Sequence, residues 1–118
     1  ISDDPVFLYV FEHFNPKSLG FFKYIMPILD ATHCAELPYL FHKGILTTFP
    51  FTYTPADKHV ENIFTTAVTN FAKFGNPNGP DVNRSDLPVM WEPVRGPDYC
   101  NNYVITSDEP RMSEDFFE

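Results

Sequence analysis

Residues 55 to 74 admit little besides a helix. Thr54 offers a side-chain oxygen to cap the first turn, and Pro55 suits the first helical position, where its missing N–H costs nothing. Asp57, three residues after Thr54, brings negative charge to the helix N-terminus. Val60, Ile63, Phe64, Ala67, Phe71 and Phe74 recur at helical spacing and form one apolar stripe. Gly75 suits a left-handed stop, and Asn76-Pro77 bars continuation.

The flanking segments are shorter. Pro5 to Phe11 is an apolar, aromatic and β-branched run, the pattern of a strand buried on both faces as in a parallel sheet. It closes at Asn15-Pro16, a turn signal. Residues 17 to 32 show no clean period and are expected to be loop. After His33, the spacing of Leu37, Leu40, Phe41 and Gly44 suits about two turns of helix with one apolar side, Pro38 being tolerable only in the first turn. Pro, Gly and Asn dominate from Asn76 to Asp98, which predicts an extended surface loop, and Tyr103 to Thr106 reads as a short final strand. There are no internal repeats.

A chain of 118 residues fits one domain-sized unit, yet this one carries 13 Phe, 6 Tyr and one Trp. Such a load needs a large core, and where part of that core comes from elsewhere, an apolar patch stays exposed. The net charge of -8, with scattered basic residues, argues against nucleic acid as a partner. Acids cluster at the end (Asp108, Glu109, Glu114, Asp115, Glu118) against one Arg111, as in a solvated tail. No apolar run approaches the ~18 residues that span a bilayer. Residue 1 onward has no signal-peptide pattern, which says nothing about a longer parent. Cys34 and Cys100 are too few for a disulfide framework; they can pair with each other, pair elsewhere or stay reduced.

The residues with most chemical content are His33-Cys34-Ala35-Glu36-Leu37-Pro38-Tyr39-Leu40-Phe41, which put an imidazole on a loop directly before a short apolar helix. Phe71-Ala72-Lys73-Phe74-Gly75-Asn76-Pro77-Asn78 and then Trp91-Glu92-Pro93 follow. In this order the three blocks resemble the C-terminal part of a type-B carboxylesterase, the cholinesterase-like branch of the α/β-hydrolases. The resemblance runs from about Pro5 to Phe116. It implies an α/β fold incomplete on its own, with residues 1–118 as the C-terminal part of a carboxylesterase α/β-hydrolase domain: a buried strand, a His loop, a long amphipathic helix and a short final strand.

The resemblance makes His33 the general base of an ester hydrolase and Glu36, in a His-x-x-Glu pattern, a supporting residue rather than the acid of the triad. Where the family usually has Gly or Ala after its catalytic His, this chain has Cys34, and a close backbone approach there would be strained. Cys34 is not expected to act as nucleophile with His33, because adjacent side chains diverge and a working pair sits about 3 Å apart. His33, Glu36 and His42 lack the His-Glu-x-x-His spacing of a zinc site, so no metal is expected. His13 and His59 are unremarkable by position, His59 falling on the solvated face of the long helix. Asn83-Arg84-Ser85 is a glycosylation acceptor for a chain in the secretory pathway.

The nucleophile of such an enzyme stands in Gly-x-Ser-x-Gly. None of Ser2, Ser18, Ser85, Ser107 and Ser113 has Gly two residues before it, and a Gly-rich oxyanion loop is also missing. Since triad order in this fold is nucleophile, acid, His, the chain is expected to supply only the His. The expected function is therefore serine-type hydrolysis of a small carboxylic ester through an acyl-enzyme, needing no cofactor. The remainder of the hydrolase domain is the expected partner and the isolated chain is expected to be inactive. The alternative is a cholinesterase-like adhesion ectodomain without a working triad. Either form implies a secretory or extracellular location.

Overall fold

The computed structural model describes residues 4–17, 24–25, 30–31, 34–41 and 52–114. Its frame is a three-stranded sheet of β1 (Tyr9–Phe11), β2 (Asn102–Ile105) and β3 (Arg111–Ser113) in that order. β1 runs parallel to β2 in the register Tyr9 to Tyr103 and Phe11 to Ile105, and β3 returns antiparallel to β2. Two helices, α1 (Leu37–Phe41) and α2 (Pro55–Phe74), connect the first two strands, as a parallel pair requires.

α2 has the bounds its sequence predicts. Thr54 is extended at φ -82°, its side chain accepts from the Asp57 N–H, and the Asp57 carboxylate accepts from the Thr54 N–H, a reciprocal capping box. Gly75 stops the helix at φ 66°, where L side chains are strained, and its N–H reaches the Phe71 carbonyl. The stripe is buried only in its first part. Val60, Ile63, Phe64 and Ala67 enter the core, whereas Phe71 and Phe74 are about half exposed, at 51% and 50%. The described sheet covers the helix no further, so the last two turns present aromatic rings to solvent.

The predicted strand Pro5 to Phe11 also needs correction. It pairs in parallel, but only Tyr9–Phe11 is strand, and it lies at the sheet edge rather than between two layers. Its flank is still tied down: the Leu8 carbonyl accepts from the Tyr103 N–H at 2.9 Å and the Val6 carbonyl from the Val94 N–H at 2.8 Å. β2 is the central strand instead, with all four residues buried. Nor is it the last. β3 follows within the acidic segment expected to be a tail, and its Arg111 pairs at 3.5 Å with Glu12, which follows β1 on the other side of β2.

The core is aromatic and continuous. Trp91 stacks on Tyr103 with centroids 4.8 Å apart and an interplanar angle of 14°, while Phe7 and Tyr9 meet the Trp91 ring edge-to-face at 6.2 and 6.0 Å. Phe11 and Tyr9 pack on Phe64 of α2 at 5.5 and 5.4 Å. The segment from Asn76 to Asp98 is thus no simple surface loop: it is irregular, but Pro77, Asn78, Leu87 and Trp91 are buried. α1 has Pro38 in its first turn, as expected, and Phe41 exposed; Gly44, to which the expected two turns run, lies outside the described residues. Both cysteines are free, Cys34 half-buried and Cys100 exposed.

Candidate active site

The carboxyl ends of parallel strands are where open α/β sheets place their ligands. Here β1 and β2 end side by side, and the Glu12 N–H reaches the Ile105 carbonyl at 2.8 Å. Beyond Phe11 the chain turns inward, so that His13 and Asn15 are both buried. They meet α2 at its first turn.

Asp57 is the centre of that meeting, and it is completely buried. Its Oδ1 accepts from His13 Nε2 at 2.7 Å and from the Tyr39 hydroxyl at 2.8 Å. Its Oδ2 accepts from Asn15 Nδ2 at 2.6 Å, the Thr54 N–H at 2.6 Å and the Thr54 hydroxyl at 2.7 Å. Burial by itself would push the carboxyl up, but the donors from His13, Thr54 and Tyr39 outweigh it and hold the group at about 2. The Tyr39 phenol moves the opposite way, raised by burial and by its bond to the same carboxylate. A carboxylate this acidic and this enclosed cannot shuttle protons near neutral pH. It fixes positions.

α1 is one of the elements it fixes. The Tyr39 ring packs against Phe11 at 5.5 Å and edge-to-face on His13 at 5.3 Å, and the Tyr53 hydroxyl holds the Pro38 carbonyl at 2.7 Å. Ahead of α1 runs a turn from Cys34 to Glu36, in which the Leu37 N–H reaches the Cys34 carbonyl at 3.4 Å and the Tyr39 N–H reaches the Glu36 carbonyl at 3.0 Å. Cys34 takes φ 67°, the left-handed region. That is the conformation in which a side chain larger than Gly is strained.

His33, which immediately precedes this turn, and His42 lie outside the described residues. Glu36 is half-buried in the turn; burial raises the Tyr9 phenol and the negative charge of Glu36 adds to that rise. His59 lies on the exposed face of α2, as expected, while His13, unremarkable in sequence, is a buried partner of Asp57. No local signal marks His13, because its partner is 44 residues away. No group of three His, Cys, Asp or Glu side chains that could hold a metal gathers among the described residues, and none of their helices is long and apolar enough to cross a membrane.

Asn83 is exposed, with its N–H donating to Asp81 Oδ1 at 2.9 Å. Ser85 of the same tripeptide is occupied: its hydroxyl donates to Asn78 Oδ1 at 2.8 Å and accepts from the Leu87 N–H at 3.1 Å.

The architecture recurs in solved esterases. A thermophilic PNB esterase superimposes with a TM-score of 0.68 at 23% identity, and the Geobacillus stearothermophilus carboxylesterase EST55 with 0.63 at 24% identity; each match covers 96% of this chain and 20% of the other. The fold is therefore a portion of an α/β-hydrolase. The sequence places it further: the carboxylesterase family model matches residues 2–118, and the chain belongs to that family. Esterase cest-33 of Caenorhabditis elegans is 45% identical over 74 residues, 63% of this chain and 13% of the relative. The human bile salt-activated lipase is 35% identical over 89 residues, 67% of this chain and 11% of the relative. The chain thus spans little more than a tenth of the length of these relatives.

Proposed function

We propose that residues 1–118 form the C-terminal part of a carboxylesterase α/β-hydrolase domain, in which His33 is the general base of a serine-type ester hydrolase. The observation that carries this reading is the attachment of the turn Cys34 to Glu36 to α1, which packs through Tyr39 on Phe11, the last residue of β1. The turn that follows His33 in sequence is thereby tied to the carboxyl end of a parallel pair, the side of the sheet where this fold does its chemistry, and this supports the reading. His13 is committed to Asp57, and His59 points to solvent.

The nucleophile is a serine outside this chain. It attacks the carbonyl of a small carboxylic ester while His33 takes its proton and passes it to the departing alcohol. Water, deprotonated by the same imidazole, then releases the acid from the acyl-enzyme. The residues provide this chemistry without a cofactor. Glu36 supports the site, the remainder of the hydrolase domain covers the exposed aromatics, and the complete protein is a secreted or extracellular glycoprotein carrying its glycan on Asn83.

The test is His33→Gln in the complete protein. Turnover should fall on the order of 10³-fold or more with little change in the unfolding midpoint, and His59→Gln should stay within roughly threefold of the parent. Near-normal turnover in His33→Gln overturns the assignment. A complete protein inactive on every ester but binding a protein partner through this region would make it an adhesion ectodomain instead.

A further inference from the structure

Asn78-Gly79 is the one Asn-Gly pair in the chain. An asparagine amide followed by glycine is open to attack from within the chain, because no side chain on the next residue screens its backbone nitrogen from Cγ. The fold nevertheless demands both residues. Asn78 mates with the backbone of Trp91, its Nδ2 donating to the carbonyl at 2.8 Å and its Oδ1 accepting the N–H at 2.7 Å, and an amide is the side chain that offers donor and acceptor side by side. Gly79 takes φ 117°, and a Cβ there would lie 2.6 Å from Asp86 Oδ2. Asn70 Nδ2 holds that carboxylate oxygen at 3.1 Å, so it does not swing aside freely.

What makes the pair labile in an open chain is suppressed in the folded one. Attack on Cγ turns a planar amide tetrahedral, and all four hydrogen-bonding positions of this amide are pinned: besides Trp91, Asn76 Oδ1 accepts from Nδ2 at 2.9 Å and the Ser85 hydroxyl donates to Oδ1 at 2.8 Å. The attacking group is engaged as well, since the Gly79 N–H donates to the Asn76 carbonyl at 3.2 Å, and the Asn78 carbonyl accepts the Asp86 N–H at 2.8 Å. Both residues are buried, which keeps out the base and the water that the reaction needs. A buried polar network with every position filled is rigid.

We propose that Asn78-Gly79 is a deamidation site guarded by the fold, reactive only when the segment from Asn76 to Trp91 opens. In the open chain, the Gly79 nitrogen gives up its proton and bonds to Asn78 Cγ, while the Cγ–Nδ2 bond breaks and the nitrogen leaves, with a proton, as ammonia. Water then cleaves the resulting succinimide at either carbonyl. One cleavage leaves an aspartate; the other leaves an isoaspartate, with Cβ inserted into the main chain. The net change is amide plus water to carboxylic acid plus ammonia, and no oxidant or cofactor takes part. Neither product has the Nδ2 donors to the Trp91 carbonyl and to Asn76, so Trp91 is not refastened on Tyr103 of the central strand. An opening that was reversible becomes irreversible at this step.

The experiment follows the complete protein, its Ser85→Ala and Asn83→Gln variants, and a peptide of residues 74–82 at mildly alkaline pH. Ser85→Ala removes one donor from Asn78 Oδ1 together with the glycosylation acceptor; Asn83→Gln removes the acceptor alone and is the matched control. The readouts are deamidation at Asn78 by peptide mass, isoaspartate by enzymatic methylation of its free carboxyl, and the unfolding midpoint after return from denaturant. The folded parent and Asn83→Gln should react at least about a hundredfold more slowly than the peptide. Ser85→Ala should react about three- to tenfold faster than Asn83→Gln. Molecules modified while held in denaturant should not regain the parent midpoint, whereas unmodified ones should.

A folded parent that deamidates as fast as the peptide has no guard, and an unfolded parent that stays intact at Asn78 has no reactive site; either result overturns the proposal. Equal rates in Ser85→Ala and Asn83→Gln would remove the hydrogen bonds as the protection, and modified molecules that recover the parent midpoint would remove the irreversibility. If Ser85→Ala does not fold, the parent decides in urea below its midpoint: a rate that rises as opening becomes easier supports the guarded site, and a constant rate overturns it.

Discussion

The side chain of Asn78 clasps the backbone of Trp91, donating from Nδ2 to the Trp91 carbonyl at 2.8 Å and accepting the Trp91 N–H on Oδ1 at 2.7 Å. The amide does the work of a neighbouring strand in a segment that has none. Its remaining positions are filled as well, by Asn76 Oδ1 at 2.9 Å and the Ser85 hydroxyl at 2.8 Å. The clasp places the Trp91 ring flat on Tyr103.

Asn78→Asp should therefore be costly despite its similar shape. It removes both donated bonds and sets a buried carboxylate oxygen against the Trp91 carbonyl and Asn76 Oδ1. A loss of about 3 kcal/mol is expected, read as a lower unfolding midpoint together with a change in Trp fluorescence. Retention of the parent midpoint would show that the clasp is dispensable.

Cys34 occupies left-handed backbone at φ 67°. Relief of that strain makes Cys34→Gly stabilising by up to about 1 kcal/mol, after the greater freedom of Gly in the unfolded chain is subtracted. Cys34→Val, β-branched in the same conformation, should destabilise by about 1 to 2 kcal/mol. Denaturant titrations of the two variants should bracket the parent; a Val variant as stable as the Gly variant would contradict the strain.

Acid should act through Asp57. Its folded value of about 2 lies below the ordinary 3.8, so the stabilisation it provides is present above about pH 4 and disappears as pH falls through about 2. The difference corresponds to about 2 kcal/mol. Between about pH 4 and 2, the midpoint of the parent should fall more steeply than that of Asp57→Asn, which has no carboxylate to protonate. Parallel slopes would place the acid sensitivity elsewhere.

Purified residues 1–118 should self-associate and bind an apolar dye. Phe71 and Phe74 are half exposed, a cavity of about 200 Å³ is lined by Phe7, Tyr9, Phe64, Phe71 and Trp91, and among the described residues β1 is an edge strand. An edge of this kind invites pairing. Light scattering should show oligomers that Phe71→Asp reduces, and the preparation should hydrolyse p-nitrophenyl esters no faster than free imidazole. A monodisperse monomer, or saturable hydrolysis, would contradict the dependence on a larger domain.

Asn83 should carry a glycan in material secreted from eukaryotic cells. Its side chain belongs to an exposed residue in an irregular segment, and Ser85 sits two residues on. Mass spectrometry of the secreted protein should find the site modified, and Asn83→Gln should remove that mass without lowering turnover.

What the sequence determined by itself was local. The cap at Thr54, the first-turn Pro55 and the stop at Gly75 delimit α2 because each acts on backbone groups within four residues of itself. The His33 block and the block from Phe71 to Asn78 identified the family because their order and spacing are written along the chain. Tertiary structure decided whatever depends on which segments meet. Phe64 and Phe71 belong to one stripe, yet only the first is covered, since exposure depends on a sheet formed by residues 9–11 and 102–113. His13 carried no signal because a single His acquires meaning only from its partner, and that partner is 44 residues away. Asp57 was legible as a helix cap, but its role as the anchor of α1 was not, because hydrogen bonds to Tyr39 and His13 exist only once the strand end, the short helix and the long helix have packed together.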